Sequence, residues 1–160
     1  MKKAILNITL VLMLILSLTA CNQKKEVAID IESLATEATA GAEFREAMQE
    51  LNDDTIINIY SSLNLSDVEK YKVFVNSTGG KADELAIFEA KSVEKAEEVY
   101  KAVNERVADL RFAFDGYVPE ELKHIDNAVI KKEGKYVMLV ISPKYENVDS
   151  IFTKHIKGGK

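Results

Sequence analysis

Tyr71-Lys72-Val73-Phe74-Val75 and Leu85-Ala86-Ile87-Phe88, with Ser77-Thr78-Gly79-Gly80 between them, decide how this 160-residue chain is read. Two short runs of aromatic and branched residues joined by turn chemistry predict an antiparallel hairpin. The next segment predicts one long amphipathic helix. Val93, Ala96, Val99, Tyr100, Val103, Val107, Leu110 and Phe114 recur at three- and four-residue steps, and Glu94, Glu97, Glu98, Lys101, Glu105 and Asp109 take the other face. Ser92 is placed to cap its start and Gly116 to end it. Pro119 then opens a short helix, with Tyr117 and Leu122 at staple positions around it.

Outward from this core, Ala128 to Lys132 and Tyr136 to Ile141 flank Glu133-Gly134 as a second hairpin. Its latter strand is almost wholly apolar, which predicts an interior position. Val148, Ile151, Phe152 and Ile156 form one face of a terminal helix capped by Asn147, before a frayed tail, Gly158 to Lys160. On the N-terminal side, residues 29–51 suggest two short helices, one carrying Ile31, Leu34 and Ala38, the next Phe44, Met48 and Leu51. Asp53-Asp54 can cap another short helix with Ile56, Ile57 and Tyr60, although the β-branched run Thr55-Ile56-Ile57 permits a strand, and Ser66 with Glu69 matches a capping box. The expected fold is α+β: an antiparallel four-stranded sheet of two hairpins with helices packed against it, in the order helices-ββ-α-ββ-α.

The first 21 residues speak to location. Lys2 and Lys3, an apolar run from Ala4 to Leu18, and Leu18-Thr19-Ala20-Cys21 have the layout of a bacterial lipoprotein signal, with the chain's one cysteine as the lipid-attachment residue. The run is short for a membrane span and is interrupted by Asn7 and Thr9. A lone exported thiol has no disulfide partner, so lipidation is the role that explains it. Two acyl chains on a thioether-linked diacylglyceryl group hold a protein stably on a bilayer. The expected organisation is a signal peptide at 1–20, a lipidated tether at 21–28 and one α+β domain at 29–157. The expected address is the outer face of the cell membrane.

Loss of the first 20 residues removes Lys2 and Lys3, leaving 19 basic residues against 26 acidic, a net charge of about −7. That sign opposes nonspecific binding to nucleic acid, anionic lipid or wall polyanions.

Reactive constellations are sparse. With two histidines, His124 and His155, and no cysteine after Cys21, a zinc-type metal site is not expected. Gly79-Gly80-Lys81 lacks the first glycine and the hydroxyl residue of a phosphate loop, since Val75 and Ala82 stand there. Asp53-Asp54 lacks the remaining ligands of a calcium loop. Glu84 and Glu89, five residues apart on one strand, point to opposite faces and do not pair as acid and base unless a bulge intervenes. His124 near Asp126 could orient an imidazole, but reads more simply as a helix-end histidine, and His155 as a half-packed boundary residue. No catalytic residue, cofactor or metal is assigned. The best recognition element is Arg111 to Pro119, where the long helix breaks and aromatics crowd one turn, giving Arg111, Phe114 and Tyr117 as candidate partner contacts. Phe114 continues the buried stripe, and core packing is the preferred reading of Tyr117 as well.

Tyr60 after Asp53-Asp54, Glu84-Leu85-Ala86-Ile87-Phe88, Phe114 with Tyr117-x-Pro119-Glu120, Asn127-Ala128-Val129 and Gly134-x-Tyr136-Val137 occur here in order. In these strand and turn signatures, over about residues 29–152, the chain resembles a family of lipoproteins from Gram-positive bacteria known as domain of unknown function 4358. The resemblance implies an extracytoplasmic address and a domain boundary, and no activity, cofactor or catalytic residue. Two function classes follow: a membrane-tethered binding or assembly module for an unknown protein or small-molecule partner, or an extracellular hydrolase or wall-modifying enzyme. For the second, His124, Asp126 and Glu84 are the residues to test. The lipid anchor, the compact size and the lack of a reactive motif favour the first.

Overall fold

The computed structural model describes residues 28–158; the signal segment, Cys21, the tether through Val27 and the last two residues lie outside the described residues. Helix α1 (Ile31–Ala42) is capped by Asp30, whose carboxylate accepts from the Glu32 amide at 3.1 Å, and ends at Glu43 in the left-handed region at φ 49°. The helix expected over Phe44 to Leu51 is replaced by an edge strand, β1 (Met48–Glu50). Its i, i+4, i+7 apolar spacing fits a helix, but the open edge of the first hairpin offers backbone partners, and pairing of Met48 with Asn76 and Glu50 with Phe74 prevails.

Helix α2 (Asp53–Ile59) follows, capped by Asn52 rather than by the two aspartates, which lie in its first turn. A 3₁₀ turn (Leu65–Asp67) capped by Asn64 leads into β2 (Val68–Asn76) and β3 (Glu84–Ala90). These two form the antiparallel hairpin expected from the sequence, with Gly79 at φ 70° in its loop. Helix α3 (Val93–Asp115) spans 23 residues and is capped by Ser92. A 3₁₀ turn (Pro119–Glu121), the short α4 (Leu122–Ile125), β4 (Val129–Glu133) and β5 (Tyr136–Ile141) come next. Gly134, at φ 54°, supplies the left-handed residue that the tight β4–β5 turn requires. Helix α5 (Tyr145–Gly158) closes the chain; it starts before Asn147, whose side-chain amide instead donates to the Gly41 carbonyl at 3.3 Å.

The sheet among the described residues has five strands, not four, all antiparallel in the order β1-β2-β3-β5-β4. The α+β class holds, and the extra strand is β1. Helices cover both faces. Ile56, Tyr60, Ala96, Val99, Val103 and Ile125 pack on the Ala86–Phe88 face, and Leu34, Ala38, Val148 and Phe152 pack on the Leu85–Ile87 face. Double coverage explains why every residue of β3 and β5 is buried and why both read as nearly continuous apolar runs. Helices α1 and α5 approach so closely that a Cβ on Gly41 would meet Ile151 Cδ1 at 2.6 Å. The chain enters this assembly where the Ile29 amide donates to the Tyr136 hydroxyl at 3.0 Å.

Candidate functional site

The first two acidic residues at the head of β3, Asp83 and Glu84, organise two buried charge networks at one end of the sheet. Glu84, 1% exposed, lies on the α3 face. Its Oε2 accepts from Arg106 Nη2 at 2.8 Å and from Nε at 3.2 Å, and its Oε1 accepts from the Tyr60 hydroxyl at 2.5 Å. The Arg106 guanidinium also stands 5.7 Å over the Tyr60 ring, which meets Phe88 edge-on at 5.5 Å. Burial works to lower the Arg106 pKa, but the adjacent carboxylate outweighs it and raises the value. Burial, then Glu84, pushes the Tyr60 hydroxyl well above its ordinary range, so it is a fixed donor at physiological pH.

Arg45, in the link from α1 to β1, spans the second network. Its Nη1 donates to Glu121 Oε1 at 2.8 Å, its Nη2 to Glu121 Oε2 at 2.6 Å, and its Nε to Asp83 Oδ1 at 3.0 Å. Its backbone amide donates to Asp83 Oδ2 at 2.9 Å, and Ala82 N–H donates to Glu121 Oε2 at 3.0 Å. Two forked contacts from one guanidinium therefore tie the α1–β1 link to the head of β3 and to the turn before α4. Burial opposes ionisation of Glu121, yet the Arg45 and Ala82 donors hold its carboxyl below the usual range. A cleft of about 220 Å³ opens beside both networks, with Lys81, Asp83, Glu84 and Arg106 among its walls and Leu110 and Phe114 among its apolar lining. Its buried acids and arginines are bonded to one another, which makes them good struts and leaves them poorly placed to move protons.

The candidate partner contacts separate. Phe114 is in the core at 7% exposure. Tyr117 is 72% exposed, contrary to the preferred packing reading: the chain turns at Gly116 and carries the ring outward, where it touches Phe114 only tilted at 6.5 Å between centroids. Arg111 is exposed and pairs with Asp126. Phe112, 87% exposed, stands beside it as a second bare aromatic.

Among the described residues, no side-chain hydrogen bond or ion pair links the residues named for a hydrolytic reading to one another. Asp126 is engaged by Arg111, Glu84 by Arg106 and Tyr60, and His124 is partly buried near Arg45, where burial and then that charge lower its pKa. His155 is nearly packed, with Nε2 3.4 Å from Glu37. Glu89 lies on the sheet face opposite Glu84, beside the Tyr136 hydroxyl and Lys135 Nζ, the latter at 2.9 Å.

A family described as Domain of unknown function (DUF4358) matches residues 41–142. The chain belongs to that family. No curated protein and no solved structure matches it. The DUF4358 match takes in Arg45, Tyr60, Asp83, Glu84, Arg106 and Glu121, and so contains both networks whole, together with Phe112 and Tyr117. It leaves out nearly all of α1 and the whole of α5, which cover the opposite face.

Sequence reasoning missed both networks, although one signal was available. Arg106 falls between Val103 and Leu110 at a three- and then four-residue step, inside the buried stripe of α3. A charge at such a position requires a buried partner. Phe112 carried a signal too, since two residues from Leu110 and two from Phe114 is the outward face of a helix that buries both.

Proposed function

We propose that this DUF4358 protein is an extracytoplasmic lipoprotein, held on the outer face of the membrane through lipid on Cys21, and that it works as a binding or assembly module. The observation that carries the binding role is the pair of bare aromatics at the C-terminal end of α3, Phe112 at 87% and Tyr117 at 72% exposure. Leu110 and Phe114 beside them are buried. Large aromatic area beside a guanidinium is what protein interfaces use as anchors. The anchor rests on the signal-like first 21 residues and their cysteine. No described helix is long and apolar enough to cross a membrane.

Metabolic labelling with an alkyne fatty acid, followed by membrane fractionation, tests the anchor. The wild-type chain is expected to carry label and sediment with membranes, and Cys21→Ser to lose the label. An unlabelled wild-type protein, or a mature N-terminus other than residue 21, refutes it.

A further inference from the structure

We infer that the pole bearing Phe112 and Tyr117 faces away from the membrane and receives a basic segment of a protein partner, an inference that rests on the binding-module reading above. Two observations point there. The first is where the chain enters. Ile29 is held by Tyr136, which pairs with Glu89 at the tail of β3. Helix α3 returns along the sheet toward the head of β3, since its Arg106 reaches Glu84. The five residues from Glu89 back to Glu84 span about 17 Å. The six from Arg106 on to Phe112 add about 9 Å. The aromatic pole therefore lies roughly 25 Å from the entry point. The link from Cys21 to Ala28 reaches about 25 Å at full extension. That length would be consumed in turning the aromatic pole to the bilayer, so the entry pole is the one nearest lipid.

The second observation is charge. Phe112 is flanked one turn either way by Asp109 and Asp115, with Glu105 two turns back, and Tyr117 has Glu120 beside it; all four acids are exposed. Arg111 is neutralised by Asp126, leaving Lys123 as the exposed base of this segment. An aromatic face rimmed by carboxylates suits Lys and Arg side chains, which find both ring faces and counter-charges there. It repels anionic lipid, and it repels a second copy apposing the same face.

The test uses the full-length lipidated protein in neutral phosphatidylcholine nanodiscs. The probe is a labelled 14-residue peptide of alternating leucine and lysine, read by fluorescence anisotropy against an analogue with glutamate for lysine. The basic peptide is expected to bind and the acidic one not to. Phe112→Ser with Tyr117→Ser should weaken binding at least tenfold with the melting temperature unchanged. Asp109→Asn, Asp115→Asn and Glu120→Gln together should weaken it similarly and flatten its salt dependence, while Glu69→Gln with Glu133→Gln, exposed acids near the entry pole, should not.

Equal binding of the two peptides, or basic-peptide binding indifferent to the aromatic variant, overturns the inference. Self-association, anionic-vesicle binding or acidic-peptide binding that the aromatic variant abolishes also overturns the basic partner, while leaving the binding module standing. If the aromatic variant alters none of these readouts, both readings fall.

Discussion

Arg106→Met should be among the most damaging substitutions in the molecule, because it removes the cation and leaves the Glu84 carboxylate in place. The Glu84 side chain is 2% exposed and that of Arg106 15%. Removing one member of a buried pair typically costs about 3–5 kcal/mol, since the remaining charge stays in the interior without its counter-charge. An unfolding entropy of about 2.1 cal/mol/K per residue over about 130 residues makes each kcal/mol worth roughly 4 °C, so the midpoint should fall by about 10–20 °C. The Tyr60 hydroxyl still donates to Glu84 in this variant, but one neutral donor does not replace a forked cation. Replacing the whole set by apolar residues of similar size, Tyr60→Phe with Glu84→Leu and Arg106→Met, removes the unpaired charge and should recover most of the loss. Urea unfolding of Arg106→Met, of Tyr60→Phe with Glu84→Leu, and of the triple variant measures the coupling directly. An Arg106→Met unfolding free energy within about 1 kcal/mol of wild type would refute the argument. So would a triple variant no more stable than the single one, which would show that the damage comes from lost packing.

Acid should destabilise the protein in two steps. Burial and Arg45 hold the His124 imidazole below 6.5, so the unfolded chain takes up that proton first and stability declines as pH falls through 6.5 toward the folded value; His124→Gln should flatten this step. Glu121 keeps its charge in the fold below 4.5 because Arg45 and the Ala82 amide outweigh burial, so its stabilisation is full above 4.5 and fades as pH falls toward the lower folded value. Glu121→Gln should lower stability at neutral pH and remove that second step in urea midpoints measured across pH 3–8. Val103→Asp places a carboxylate at a position with no exposure in the core under α3 and should cost about 4 kcal/mol or more. A cooperative melt left unchanged by that substitution would refute the packing of α3.

What the chain made legible depended on whether a feature is local. The β2–β3 and β4–β5 hairpins and α3 could be read because each carries its own signals: a glycine turn between branched runs, and one periodic stripe with Ser92 before it. Helix α2 and the 3₁₀ turn before β2 were placed, with Asn52 and Asn64 taking the capping roles one and two positions earlier than expected. β1 could not be read in this way. Three residues hold no period, and what makes them a strand is the unpaired edge of β2, which is defined only after the hairpin has formed.

The Arg45 network was hidden for a related reason. Arg45 meets residues 38 and 76 positions away, and in a chain with 29% charged residues an isolated arginine or glutamate reads as solvated. The burial of both networks also bears on the binding proposal. A buried pair contributes little net stability compared with apolar residues of the same volume, and its best-attested use is to fix one arrangement against its alternatives. Arg45 fixes the turn at Pro119–Glu121, and Arg106 fixes α3 six residues, under two turns, before Phe112. Both networks therefore constrain the segment on which Phe112 and Tyr117 stand exposed. A backbone segment fixed before a partner arrives loses less entropy on docking, so this arrangement is what a preformed binding surface requires.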